Sequence, residues 1–166
     1  KESALLRMAL EWRRKLLWGQ LGPYAGDLRK TIRAVQSYLY HWEQEFGVAK
    51  DYFHLRGQDN LHRYRPLSAI AVRVHPADAL FEVLARIAAV RVTGSVPVVS
   101  LPEGLHNAAT AFLETVEGRE ILGGAVVRRQ SDEALIASMA VVPRIRYAAP
   151  DRVPEAVLAA AARRGY

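Results

Sequence analysis

The sequence reads AIAVRV at residues 69–74, HPADALFEVLARIAAVRVTG at 75–94 and PVVSL at 97–101. The first stretch alternates as a β-strand does, and the last is a short apolar run rich in valine. The stretch between them is long enough for a helix of several turns. Together they predict a strand–helix–strand unit, the repeating element of a parallel sheet.

The predicted helix, residues 77–93, is apolar on nearly all sides, which is typical of a helix packed against a sheet. Pro76 is expected in its first turn, where the missing N–H of proline costs nothing. A narrow polar stripe of residues spaced four apart is expected to face solvent: Asp78, Glu82 and Arg86.

The rest of the chain continues this alternation. The predicted elements are a helix at 104–117, a strand at 125–128, a short helix capped by Ser131, a strand at 144–148 and a helix at 153–164. Gly123 and Gly124 are explained by a turn into the strand at 125–128. The order βαβαβαβα predicts an α/β fold, a Rossmann-like domain over residues 69–166 with a parallel sheet.

A helical arm is predicted over residues 1–50, with helices at 3–18 and 27–46. Asp27 is a candidate N-cap of the second helix and Gly47 its C-terminal stop. The second helix carries a heptad stripe: Leu28, Ile32, Val35, Leu39, Trp42 and Phe46. Three heptads favour a helical hairpin that packs on its own domain, and leave a homo-oligomer open.

The chain begins at Lys1 without an initiator methionine, and its last predicted helix would lead into another strand. We therefore expect a piece of a longer protein, with the sheet continuing beyond Tyr166.

Composition narrows the class of protein. Of 166 residues, 51% are hydrophobic and 24% are charged, which is enough for a folded core and excludes a disordered chain. Cysteine is absent, so disulfides, thiolate metal sites and cysteine nucleophiles are excluded. No apolar run reaches the roughly 18 residues of a transmembrane helix.

The chain is basic, with a net charge of +6 and a pI of about 9.9. Its arginines are scattered and interleaved with acids, whereas a nucleic-acid-binding protein usually gathers them on one face. We therefore do not expect nucleic acid as a partner.

Motifs that carry chemistry are few. No glycine-rich loop follows the strand at 69–74, so no phosphate cradle is predicted. No GxSxG motif is present. The five histidines show none of the spacings typical of metal sites: His41, His54, His62, His75 and His106.

The densest polar motif is GQDNLHRYRP at 57–66, within a predicted linker at 51–68 that contains a short strand near 52–56. Amides, a carboxylate and guanidinium groups in so short a stretch suit a surface that meets another domain. The predicted interface residues are Gln58, Asp59, Asn60, Arg63, Tyr64 and Arg65.

Six stretches carry a resemblance to a known family: YLYHWEQE at 38–45, DY at 51–52, GQDNLHRYRPL at 57–67, residues 75–94, VSLPEG at 99–104 and RYAAPDRVP at 146–154. They resemble the C-terminal region of the bifunctional proline utilisation A enzymes. Members join an FAD-dependent proline dehydrogenase to an NAD-dependent L-glutamate γ-semialdehyde dehydrogenase on one chain. The resemblance implies a non-catalytic accessory domain that folds like an aldehyde dehydrogenase cofactor domain.

Laid on the aldehyde dehydrogenase pattern, the catalytic asparagine falls at about Pro76 and the cofactor-binding lysine at Leu101. The nucleophilic cysteine of that family has no counterpart, because the chain has none. The resemblance therefore implies no catalytic, cofactor-binding or metal residue here. It implies that FAD and NAD bind elsewhere in the parent enzyme, that the partners are its other domains, and that the protein is cytoplasmic, with the parent able to associate with a membrane.

Two alternatives stay open at this point. One is an arginine-rich module that binds polyanions such as nucleic acid, suggested by the high pI. The other is a free-standing α/β domain that binds a nucleotide at the carboxyl ends of its strands.

Overall fold

A computed structural model describes residues 3–165, and the predicted continuation of the sheet beyond Tyr166 lies outside them. Its centre is a four-stranded, all-parallel sheet of order β5-β4-β3-β6. The strands are β3 (Ala69–Arg73), β4 (Val96–Leu101), β5 (Val126–Arg129) and β6 (Ile145–Arg146), and the antiparallel strands β1 (Lys50–Asp51) and β2 (Leu61–His62) form a separate ribbon. The predicted parallel α/β sheet is confirmed.

Seven helices are seen among the described residues. They are α1 (Ala4–Leu17), α2 (Ala25–His41), α3 (Leu80–Val92), α4 (Ala108–Leu113), α5 (Val116–Leu122), α6 (Asp132–Ser138) and α7 (Glu155–Arg163). A π-helical turn, Trp42–Phe46, extends α2 to Gly47. None of the helices in this part of the chain is long and apolar enough to cross a membrane.

The sheet changes direction next to β3. From β3 the chain passes to β4 and then to β5, but β6 returns to the opposite side of β3. The carboxyl ends of β3 and β6 therefore form the topological switch point, where open α/β sheets usually bind their ligands.

The sheet has two unequal faces. Ile70 and Val72 of β3 belong to the main core with α3, whereas Ala71 packs with Leu135 of α6 and with Ile145 of β6. This alternation follows from the two-residue period of a strand. The main core is large, and the core on the side of α6 and α7 is small.

The helical arm packs on its own domain, as predicted, and its buried residues belong to the main core. Trp12 of α1 is fully buried; its Nε1–H donates to Glu120 Oε2 at 2.9 Å, and its ring meets Phe112 edge-on. Lys15 Nζ lies 2.9 Å from Glu117 Oε1 on α5. The first half of the heptad stripe, to Val35, is buried in the same core.

Three local expectations are wrong. Asp27 is not an N-cap, because α2 begins at Ala25 and Asp27 lies in its first turn. Pro76 lies in a turn before α3, which begins only at Leu80. The helix predicted at 104–117 is two short helices, since the Thr115 hydroxyl accepts the Gly118 N–H and starts a new helix.

Replacement of Trp12 tests whether α1 is integral to the core. We expect Trp12→Ala to lower the free energy of unfolding by about 3–5 kcal/mol, because it leaves a large cavity and removes a hydrogen bond. Trp18, 77% exposed just after the same helix, is the matched control, and Trp18→Ala is expected to cost less than about 0.5 kcal/mol. Urea unfolding measures both, and equal small effects would contradict this packing.

Candidate functional site: an exposed ribbon, an aromatic groove and a charged sheet edge

The polar segment predicted as an interface folds as a small ribbon, here called the ribbon, residues 50–67. Its two strands pair antiparallel, with Lys50 opposite His62 and Asp51 opposite Leu61. The strand expected near 52–56 is therefore misplaced, because that stretch forms the connecting loop.

Asp51 organises this loop. Its Oδ1 accepts the backbone N–H groups of Phe53 at 3.0 Å and His54 at 3.1 Å, and its Oδ2 accepts that of Asn60 at 3.4 Å. The hydrogen bonds from His54 and then Phe53 hold the pKa of this carboxyl below its usual value. Sequence reasoning missed Asp51, although an aspartate at the start of a turn is a known signal for such bonding.

The ribbon exposes large apolar side chains. Five of them are more than half exposed: Tyr52, Phe53, Leu55, Leu61 and Tyr64. Aromatic residues gathered at an otherwise polar surface are typical of the central part of a protein–protein interface. The surface that they form is the strongest candidate for an interface among the described residues.

The residues predicted from the sequence line the same segment but do not form a polar network. Gln58, Asp59, Arg63 and Arg65 are exposed, and among residues 3–165 their side chains make no hydrogen bond or ion pair. Asn60 is half-buried, and its Nδ2 is buried without a partner in this part of the chain. Tyr64 stacks edge-on against Phe46, with 5.5 Å between ring centroids.

A groove of about 690 Å³ lies between the ribbon, the end of α2 and the edge strand β6. We call it the aromatic groove. Its apolar lining includes Tyr38, Trp42, Phe46, Tyr64, Leu67 and Ile70. The heptad stripe of α2 thus leaves the core at Trp42 and Phe46 and contributes to this surface.

The charge of the aromatic groove is positive. Arg65, Arg144 and Arg146 line it, no acidic residue does, and within the described chain none of the three guanidinium groups forms an ion pair. Arg65 is far in sequence from Arg144 and Arg146, so sequence reasoning did not group the three.

At the switch point, in contrast, the protein's own charges pair with one another beside a cavity of about 380 Å³. Arg73, at the end of β3, is only 5% exposed. Its guanidinium donates to Ser100 Oγ at 3.0 Å, to the Gln130 carbonyl at 2.9 Å and to Asp132 Oδ1 at 2.7 Å. These bonds join the carboxyl ends of β3, β4 and β5.

A second cluster lies beside it. The Asp78 carboxylate is fully buried and pairs with Arg86 and with Arg152, the latter at 2.6 Å. Arg86 Nη1 also donates to the carbonyls of Arg73 at 2.8 Å and Arg146 at 3.2 Å. The expectation that Asp78, Glu82 and Arg86 face solvent is therefore wrong for Asp78, which lies in the turn before α3 and pairs with both arginines.

The start of α3 already carries a carboxylate of its own. The Glu82 carboxylate accepts the Ala79 N–H at 2.8 Å and pairs with Arg152 at 2.9 Å, and these contacts, Arg152 first, lower its pKa. A carboxylate thus already lies at the helix N-terminus where a phosphate would bind. Leu101, where the resemblance places a cofactor-binding lysine, is buried in the main core.

Other polar groups near this edge do not assemble a metal site. The described part of the chain contains no group of three or more histidine or carboxylate residues suited to one. Burial raises the pKa of Tyr147 to about 12, and its hydroxyl finds no partner among residues 3–165.

Comparison of the chain with protein-family models, with curated proteins and with solved structures finds no match.

The contact of Asp51 predicts how the ribbon responds to pH. Because its pKa is lowered in the fold, its stabilising contribution is present above the unfolded pKa and is lost as pH falls through the folded value. We expect the amide NMR shifts of Phe53 and His54 to change together below about pH 4. Asp51→Asn should abolish that transition, whereas the control Asp59→Asn should keep it; persistence in Asp51→Asn would refute the assignment.

The buried carboxylate at the switch point predicts a stability effect. Asp78→Asn leaves Arg86 and Arg152 without their shared counter-charge, and we expect it to cost about 3–5 kcal/mol in urea unfolding. Asp151→Asn, at an exposed acid near the same edge, is the matched control, with an expected cost below about 0.5 kcal/mol. Similar small costs for both would mean that the cluster contributes little.

Proposed function

We propose that this chain is a non-catalytic accessory domain of a bifunctional enzyme that oxidises proline to glutamate, and that it docks on the other domains through the ribbon. The observation that carries the docking is the cluster of exposed aromatic and aliphatic side chains on the ribbon, from Tyr52 to Tyr64. The choice of parent enzyme rests on the resemblance of residues 38–67 and 75–154.

The pairing of charges at the switch point supports an accessory role. In a nucleotide-binding α/β domain this edge presents free backbone N–H groups and space for a phosphate. Here Arg73 is bonded to Asp132, and Glu82 covers the start of α3. A catalytic role and the binding of FAD or NAD are accordingly assigned to the other domains of the parent enzyme.

The pairing of several arginines with acids inside the domain favours docking over the binding of polyanions. Several arginines are neutralised inside the domain, among them Arg73, Arg86 and Arg152. A phosphate-binding surface would instead present such residues free and side by side. Three of the arginines without an ion pair, Arg65, Arg144 and Arg146, line a groove whose floor is aromatic and apolar.

In the parent enzyme, the domain would cover the aldehyde dehydrogenase site or the path along which the semialdehyde travels, or support the oligomer. A docked domain can exclude water from such a path and retain a reactive intermediate. On this proposal the parent enzyme is an oxidoreductase, as the resemblance implies, and docking would influence its oligomeric state.

The decisive experiment removes this domain from the bifunctional enzyme that carries it. We expect loss of NADH formation from semialdehyde, with proline oxidation unchanged as the internal control, and recovery when the 166-residue chain is added back. Unchanged rates in both steps would refute a role in the aldehyde step.

Ribbon variants refine this test. Tyr52→Ser combined with Phe53→Ser should weaken the added-back domain at least about tenfold in affinity, since buried aromatic residues dominate interface energies. Tyr40→Ser is the matched control, because Tyr40 on α2 is equally exposed, at 62%, but lies outside the ribbon. Equal effects of both variants would mean that the ribbon is not the docking surface.

A further inference from the structure

A groove of about 340 Å³ lies in the helical arm, between α1 and α2. We call it the hairpin groove. Its lining combines cationic and aliphatic side chains: Arg13, Arg29, Arg33, Leu16, Leu17 and Ile32. Arg13 follows the first residue of α1, Ala4, by nine positions, or about 14 Å along the helix axis. The groove therefore lies toward the turn of the hairpin, within the arm and not at the start of α1.

The positive charge of the hairpin groove has no counter-charge. Its three arginines are exposed, and among residues 3–165 their side chains form no ion pair or hydrogen bond. The acids nearest in sequence do not face them: Glu11 binds Arg14, and Asp27 lies two positions before Arg29, which is nearly opposite on a helix. Arg29 and Arg33, four positions apart on α2, repel each other until an anion lies between them.

The floor of the hairpin groove is aliphatic. Ile32 is only 7% exposed and belongs to the main core, and Leu16 packs against the same core. Leu17, in contrast, is 80% exposed at the rim of the groove. Apolar surface that is bordered by free cations suits an occupant that is both apolar and anionic.

The shape of the hairpin groove favours a helix as that occupant. Two helices that pack side by side, as α1 and α2 do, leave a furrow that accepts the side-chain ridge of a third helix. The four-residue spacing of Arg29 and Arg33 also matches carboxylates four apart on one side of a partner helix.

We propose that the hairpin groove binds an acidic amphipathic helix of another polypeptide. The apolar stripe of that helix covers the aliphatic floor, and the carboxylates that flank the stripe pair with the three arginines. This inference goes beyond the proposed function, because it concerns a surface remote from the ribbon in sequence and does not depend on which enzyme carries the domain.

Other anionic occupants fit the hairpin groove less well. An oligonucleotide would neutralise the arginines but would leave the aliphatic floor uncovered. A flat anionic lipid surface would reach the exposed Leu17 but not the nearly buried Ile32. A second copy of the chain, with its net charge of +6, would bring positive charge to a positive surface.

The test measures binding of a fluorescein-labelled peptide, ELAQLEAELAQLEAELAQ, to the 166-residue chain by fluorescence anisotropy. As a helix, this peptide presents a stripe of leucines with glutamates on both flanks. We expect saturable binding, and at least about tenfold weaker binding of ELAQLEAELPQLEAELAQ, whose proline breaks the helix. Absence of saturable binding up to about 1 mM peptide, or equal binding of the two peptides, would overturn the proposal.

Charge reversal tests the pairing with the arginines. Arg29→Glu combined with Arg33→Glu should weaken binding at least about tenfold, and this variant should instead prefer the lysine peptide KLAQLKAKLAQLKAKLAQ. Arg163→Glu combined with Arg164→Glu changes the net charge equally at exposed positions outside the groove, and should leave binding nearly unchanged. Equal losses in the two double variants would mean unspecific attraction and would overturn the proposal.

A second substitution tests the aliphatic floor. Leu17→Ser should weaken binding of the glutamate peptide at least about fivefold without opening the core, because this side chain is 80% exposed. Val141→Ser is the matched control, at a position that is 72% exposed and outside the groove. Unchanged binding in Leu17→Ser would contradict the assigned role of the apolar stripe.

Two further probes distinguish the other anionic occupants. A labelled oligo-dT, and vesicles of phosphatidylcholine and phosphatidylglycerol, are titrated beside the glutamate peptide. We expect both probes to bind more weakly than the peptide. Tighter binding of either one, lost in the Arg29→Glu, Arg33→Glu variant, would overturn the proposal and identify a nucleic-acid or a lipid site instead.

Discussion

One buried carboxylate, that of Asp78, joins the parts of this domain that the chain order separates. It pairs with Arg86 on α3 and with Arg152 before α7, and Arg86 in turn binds the last carbonyls of β3 and β6. Where the order of strands reverses, the chains leave the carboxyl ends of β3 and β6 in different directions. The backbone carbonyls at these two ends then need hydrogen-bond partners. The cluster supplies those partners, and the position of β6 depends on it.

The ion pairs at the switch point bear on function. The place where α/β domains usually bind ligands holds the protein's own ion pairs, with Arg73 and Glu82 as its two sides. Two larger candidate surfaces lie away from this edge, on the ribbon and in the aromatic groove.

The order of elements could be predicted from the sequence because each one has a local cause. The alternation of residues 69–74, the apolar helix after them and the Ser131 cap each act within a few residues, and the structure contains all of them. The errors concern places where distant groups compete with local ones. Asp78 was expected in solvent because nothing near it in sequence reveals Arg152, which lies 74 residues away.

The candidate site also has one part that the sequence predicted and another that it did not. The polar composition of residues 57–66 marked the ribbon as a surface segment, since such residues cannot form a core. The packing of Tyr64 on Phe46 and the convergence of Arg65 with Arg144 and Arg146 follow from the fold and not from local spacing. The sequence by itself determined the α/β class, the absence of cysteine chemistry and the helical arm, because periodicity and composition are local properties. Only the tertiary structure decided which charges are buried and where the cavities lie, because these depend on contacts between residues far apart in the chain.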